Sequence, residues 1–167
     1  LQLEKNLIRN GIQVHWAETP DEANAIILGI CKAHSAKLII KGKSMVSEEI
    51  ELNHAAEAAG IDAMESDMGE YIVQLAGEKP SHIIMPAIHK TKEEIAKLFY
   101  EKVPGIDYTD NVDALIQIGR NVLREKFLVA DIGLSGVNFA VAETGTLCLV
   151  ENEGNGRMST TVPPVHI

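Results

Sequence analysis

Short apolar runs alternate along this chain with longer stretches whose apolar positions recur every three or four residues. Ile12–Trp16 reads as a strand. A helix start follows: Thr19 as N-cap, Pro20 in the first helical position and Glu22 completing a capping box. The helix it opens carries Ala23, Ile26, Ile27, Ile30 and Cys31 on one stripe, the spacing of a core-facing side. Lys37–Lys41 is predicted as the second strand and Ser47–Ala59 as the second long helix. Leu52, Ala55, Ala56 and Ala59 face inward on that helix. Ile61–Met64 reads as a strand, Tyr71–Leu75 as a short helix, and His82–Met85 as a strand ended by Pro86.

Thr91–Lys102 opens with a second capping box, Thr91 with Glu94, and presents Ile95, Leu98 and Phe99. Asp110–Phe127 is the longest predicted helix, with Val112, Leu115, Ile116, Gly119, Val122 and Leu123 in register. Strands are expected at Leu128–Ile132, Thr146–Val150 and Pro164–Ile167, while Ser135–Ala142 fits strand or short helix. Strand–helix–strand alternation implies right-handed crossovers, so the expected fold is α/β: one domain over residues 1–167 with a mostly parallel, doubly wound sheet.

Bulk properties narrow the function. A net charge of −9 argues against a nucleic-acid partner or an anionic membrane surface, because both need a basic footprint. No apolar run approaches the ~20 residues that would insert into a bilayer. Aromatics are 4% of the chain, so aliphatic side chains fill the interior. Cys31 and Cys148 stand far apart in apolar contexts, outside any Cys-x-x-Cys metal pattern, and a reducing cytoplasm is the expected setting. The chain starts at Leu1 without a methionine and stops inside an expected strand, so it is expected to be a piece of a longer polypeptide.

In open α/β sheets, ligands sit beyond the carboxyl ends of the strands. The loops expected there are Gly42–Val46, Pro86–Lys90, Gly133–Asn138 and Glu151–Arg157. They bring Lys41, Lys43, Ser44, His89, Lys90 and Arg157 toward one edge, a candidate pocket for a small carboxylate or phosphate, with helix starts at Ser47 and Thr91 adding donors. Around the apolar run Thr146–Val150 cluster Glu143, Thr144, Thr146, Glu151, Asn152 and Asn155, further candidate ligand-binding residues. Glu143 and Glu151 are the candidates for a nucleophile or general base, set against a plain role in hydrogen-bonded turns. Known phosphate motifs are absent: no glycine precedes Gly42-Lys43-Ser44 at P-loop spacing, and no Gly-x-Gly-x-x-Gly follows the first strand. Glu51-x-x-His54 is a single copy of a di-iron pattern that needs two, so no metal site is expected.

Five segments carry a resemblance: KGKSMVSEEI at 41–50 with LNH at 52–54, GEYI at 69–72, HII at 82–84, PAIHK at 86–90 and AVAETGTLCLVENEG at 140–154. On these the chain, from about Thr19 to Ile167, resembles the LUD domain family, and within it the iron–sulfur subunits of bacterial L-lactate oxidation. The resemblance implies a fold like that of the NagB/RpiA/CoA-transferase group, a cytoplasmic multi-protein system as partner, and electrons carried by 4Fe–4S clusters. Those clusters would be held by a ferredoxin-like part that is missing here, so no cofactor is expected in this chain. Its role would be docking and small-anion binding. The alternatives are a free-standing CoA-transferase-like enzyme using Glu151 or Glu143, since Glu151-Asn152 with Gly154 echoes the nucleophile turn of such enzymes, and a pure assembly module.

Overall fold

The capping residues start helices where they stand, although Glu22 accepts from the Glu18 N–H and does not close the expected box on Thr19. Thr19 Oγ1 accepts from the Glu22 N–H at 3.2 Å, and Thr91 Oγ1 accepts from the Glu94 N–H at 3.2 Å while the Glu94 carboxylate accepts from the Thr91 N–H at 2.8 Å. The structure is a computed structural model that describes residues 1–42, 44–82, 84–151 and 153–167. The order of elements is α1 (Gln2–Arg9), α2 (Pro20–Ala33), β1 (Leu38–Lys41), α3 (Met45–Glu49), α4 (Leu52–Ala58), β2 (Asp62–Glu65) and α5 (Met68–Ala76), followed by α6 (Lys92–Lys102), α7 (Val112–Val129), β3 (Ile132–Leu134), β4 (Phe139–Val141), β5 (Thr146–Cys148), α8 (Asn155–Thr161) and β6 (Val165–His166).

The main sheet runs β2-β1-β3-β6, and each of its pairings is parallel. Side chains of a strand alternate between faces, and β1 shows what covers each one. Ile39 packs with Cys31 of α2, Leu52 and Ala56 of α4, and Ile132, whereas Leu38 and Ile40 pack with Phe127 and Ala130 at the end of α7. A third cluster joins Tyr71 and Ile72 of α5 to Phe99 of α6 and Leu115 and Leu123 of α7. Helices on both faces of a parallel sheet make this the doubly wound α/β architecture that the alternation predicts.

Several elements differ from the sequence reading, each for a local reason. Ile12–Trp16 is no strand: its start is tied to α1 by the Ile12 N–H to Leu7 carbonyl bond, and Trp16, 65% exposed, donates to Glu4. The helix expected over Ser47–Ala59 is two helices, broken at Glu51, whose φ is +53°. The Asn24 amide takes up the Ile50 carbonyl at 2.7 Å, and the break lets Leu52 and Ala56 face the sheet. His82–Met85 is a turn instead of a strand, because the His82 imidazole accepts from the Ile84 and Met85 N–H groups; Ile83 lies outside the described residues. Leu128–Ile132 mixes two elements, since α7 runs on to Val129 with Leu128 70% exposed, and β3 begins only at Ile132. Thr146–Cys148 pairs antiparallel with Phe139–Val141 in a separate hairpin, not in the parallel sheet. Pro164–Ile167 does supply the parallel edge strand β6. The helices α1 and α8 have no counterpart in the sequence reading.

Candidate functional site

The register of β1 and β2 sets Lys41 directly beside Glu65, the last residue of each strand. A lysine ending a buried apolar strand has nowhere to send its charge except along the carboxyl edge of the sheet. Its side chain is 1% exposed there, and Nζ donates to Glu65 Oε1 at 2.5 Å and to Asn53 Oδ1 at 2.9 Å. The Asn53 amide closes the triangle by donating to the same Glu65 oxygen at 3.0 Å. Asn53 comes from the first turn of α4, so the break at Glu51 is what aims it at the lysine. Paired and hydrogen-bonded in this way, the two charges tolerate burial.

β2 is the edge of the sheet on this side, and one side chain substitutes for a missing strand. Gln74 of α5 accepts from the Glu65 N–H at 2.9 Å and donates to the Ala63 carbonyl at 2.6 Å. Between α3, α4 and α5, above the Lys41–Glu65 pair, lies an open cavity of about 580 Å³. Glu48, Glu51, Glu57, Glu65, Glu70 and Glu78 line it, against Lys41 and Lys79 as cations. Glu48 also borders a smaller neighbouring cavity of about 150 Å³ with His82. Burial pushes the Glu48 carboxyl above its ordinary range, the Glu65 charge adds to that, and Lys41 partly opposes it.

The other candidate residues sit as follows. Ser44 caps α3, its hydroxyl accepting from the Ser47 N–H at 3.3 Å. His89 and Lys90 converge on Glu78 at the cavity rim: His89 Nε2 lies 2.8 Å from the carboxylate, Lys90 pairs with its other oxygen, and together the two hold Glu78 below its ordinary range. Glu143, Thr144 and Thr146 form the tip of the β4–β5 hairpin, which docks on α1. Asn6 donates to the carbonyls of Ala142 and Glu143 at 2.8 and 3.0 Å, and Asn10 donates to those of Thr144 and Gly145 at 2.9 and 3.2 Å. Glu151 pairs with Arg157 at 3.2 Å and accepts from the Arg157 N–H at 2.6 Å, which ties down the start of α8. Asn155 Oδ1 accepts from the Gly156 N–H at 2.8 Å. Lys43 and Asn152 lie outside the described residues.

Lys41 is thus the candidate that lines the larger cavity, with His89 and Lys90 one residue away through Glu78, while the hairpin and α8 candidates line neither cavity. Each described cation of the expected anion pocket faces a carboxylate: Lys41 with Glu65, Lys90 with Glu78, Arg157 with Glu151. Asn53, Glu65, Gln74 and Glu48 were missed. Glu65 closes β2 as Lys41 closes β1, a pairing that only the strand register reveals. Among the described residues, no group of three or more His, Cys, Asp and Glu is placed to hold a metal, and no helix is long and apolar enough to cross a membrane.

The family model of the LUD domain matches residues 1–167. The chain is 47% identical over 167 residues to lactate utilization protein B of Bacillus pumilus, and equally so to that of Bacillus licheniformis. It is 45% identical over 166 residues to an uncharacterized electron transport protein, YkgF, of Escherichia coli. In each case 99% of this chain is covered, but the chain spans 35% of the relative's length. No solved structure matches it.

Proposed function

The chain belongs to the LUD domain family, and from that membership we propose that it is the LUD part of an electron-transfer protein working in L-lactate utilisation. Its part in that system is docking and ligand binding, with the other components of the lactate system as partners and the cavity above Lys41 and Glu65 as the ligand site. The observation that carries the reading is 47% identity to lactate utilization protein B sustained over 167 residues.

The redox group of the family is proposed to lie in the remaining length of such proteins. A 4Fe–4S cluster takes four cysteine thiolates, and this chain has two cysteines. Cys31 is buried in the core under β1, where desolvation pushes its thiol up and away from the thiolate a cluster needs, and Cys148 belongs to the hairpin. The residues do not fit a cluster, so no electron-transfer step is assigned to them. Both thiols are free, in keeping with the proposed cytoplasmic setting.

A chimera tests this. In Bacillus pumilus lactate utilization protein B, the aligned third is replaced by residues 1–167 and returned to a strain lacking that protein. Growth on L-lactate is the expected result. A chimera that accumulates folded and iron-loaded yet gives no growth overturns the assignment.

A further inference from the structure

We propose that the cavity over Lys41 and Glu65 binds its ligand through two neighbouring hydroxyl groups, the vicinal diol of a nucleoside ribose, and is not a site for a small carboxylate. The inference deepens the reading of this cavity as the ligand site and rests on it.

The hydrogen-bond inventory of the floor leads there. Glu65, 6% exposed, receives both Lys41 Nζ and Asn53 Nδ2 on Oε1, and among the described residues no donor reaches Oε2. The Lys41 ammonium has three N–H donors, of which Asn53 and Glu65 occupy two. The floor therefore offers one acceptor and one donor side by side on two nearly inaccessible groups. A carboxylate group only accepts, so it satisfies Lys41 and meets Glu65 as a like charge; the hydroxyl of a 2-hydroxy acid donates to Glu65 but brings that second negative charge with it, whereas a diol does not. Two adjacent hydroxyls satisfy both: one donates to Glu65 Oε2 and the other accepts from Lys41.

Charge points the same way. Six glutamates and two lysines line the cavity, and Lys41 is already neutralised by Glu65, so an anion enters against the local field while an uncharged sugar does not. Placement adds a third reason. Glu65 closes β2 next to the central strand β1, at the carboxyl edge of a parallel sheet. Dinucleotide-binding sheets likewise set an acidic side chain beyond a strand end, where it accepts from a ribose hydroxyl. The volume of about 580 Å³ falls within the range of sites for ligands of nucleoside size.

Calorimetric titration of the full-length protein with adenosine, 2′,3′-dideoxyadenosine and L-lactate tests the proposal. Saturable binding of adenosine is expected, with at least a tenfold weaker response to the dideoxy compound and no displacement by L-lactate. Glu65→Gln is expected to weaken adenosine binding at least tenfold, and the paired change Lys41→Met with Glu65→Met to abolish it in a protein of unchanged near-ultraviolet dichroism. No adenosine binding, equal affinity for the two nucleosides, or displacement by L-lactate overturns the diol site. The growth assay separates the two readings. A chimera that grows on L-lactate without binding adenosine removes the diol and keeps the lactate role. One that binds adenosine in a diol-dependent way without supporting growth does the reverse.

Discussion

Lys41 and Glu65 end adjacent parallel strands with Nζ and Oε1 2.5 Å apart, so each is buried on the strength of the other. Removing one partner strands a charge in the interior. Lys41→Met is expected to destabilise the protein by about 3–5 kcal/mol, whereas adding Glu65→Met on the same chain recovers most of that loss. Urea denaturation of the two variants decides it; additive losses would show that the pair is not coupled.

Glu48 gives a pH dependence whose sign is fixed by its raised pKa. Its carboxyl keeps the proton in the folded state to a higher pH than in the unfolded chain. The stabilising contribution is therefore present below the ordinary value of 4.5 and is lost as pH rises through the folded value. Glu48→Gln is expected to flatten the melting temperature against pH between 4.5 and neutrality and to raise it at pH 7. Parallel curves for wild type and variant would exclude Glu48 as the titrating group.

Two glycines test how a new methyl is received. A Cβ on Gly133 would stand 1.7 Å from the backbone oxygen of Ser159, and one on Gly119 would stand 2.5 Å from the tip of the Met68 side chain. Backbone has to move in the first case, and a flexible thioether in the second. Gly133→Ala should cost at least about 3 kcal/mol or prevent folding, with Gly119→Ala well below it. Thermal unfolding of both variants supplies the comparison, and equal losses would contradict the packing of α8 on β3.

The hairpin tip should respond to changes made far away in sequence. Asn6→Ala removes the bonds to the Ala142 and Glu143 carbonyls, for about 1–3 kcal/mol. Gly145→Ala should cost more, because Gly145 has φ of +71° and its Cβ would meet Asn6 backbone at 2.7 Å. Amide exchange across 139–148 is expected to accelerate in both variants while β1 stays protected.

Labelling with a thiol reagent separates the cysteines. Cys148 is expected to react in the folded protein, and Cys31, fully buried with its thiol pushed up by desolvation, only after denaturant is added. Two fast thiols would mean that α2 does not pack on β1 as described.

The layered core was legible because it rests on local rules. Thr19 and Thr91 cap the helices they were expected to cap, and the stripe ending in Cys31 lies against Ile39. Misreadings arose where a longer-range contact overrode the local pattern. The Asn24 bond to Ile50 splits one helix into two, and the His82 ring turns an apolar run into an exposed loop. The place of Lys41 at the carboxyl end of a buried strand was legible, and the proposed site is built on it. Glu65 and Asn53 were not, because strand register and a helix break bring them to it, and spacing along the chain encodes neither. Glu143 and Glu151 looked like chemistry in sequence, but the first lies at a hairpin tip held by α1 and the second is engaged by Arg157.

The bond from Asn6 to Ala142 spans 136 residues. Closing a loop of that length costs an unfolded chain about 4 kcal/mol of entropy, and α1 buries only Leu7 among its own residues to offset it. The clasp between the first helix and the hairpin is therefore expected to close last in folding, after the sheet has brought its two ends near. It is also expected to open first under mild denaturant, making it the natural place for a protease to begin.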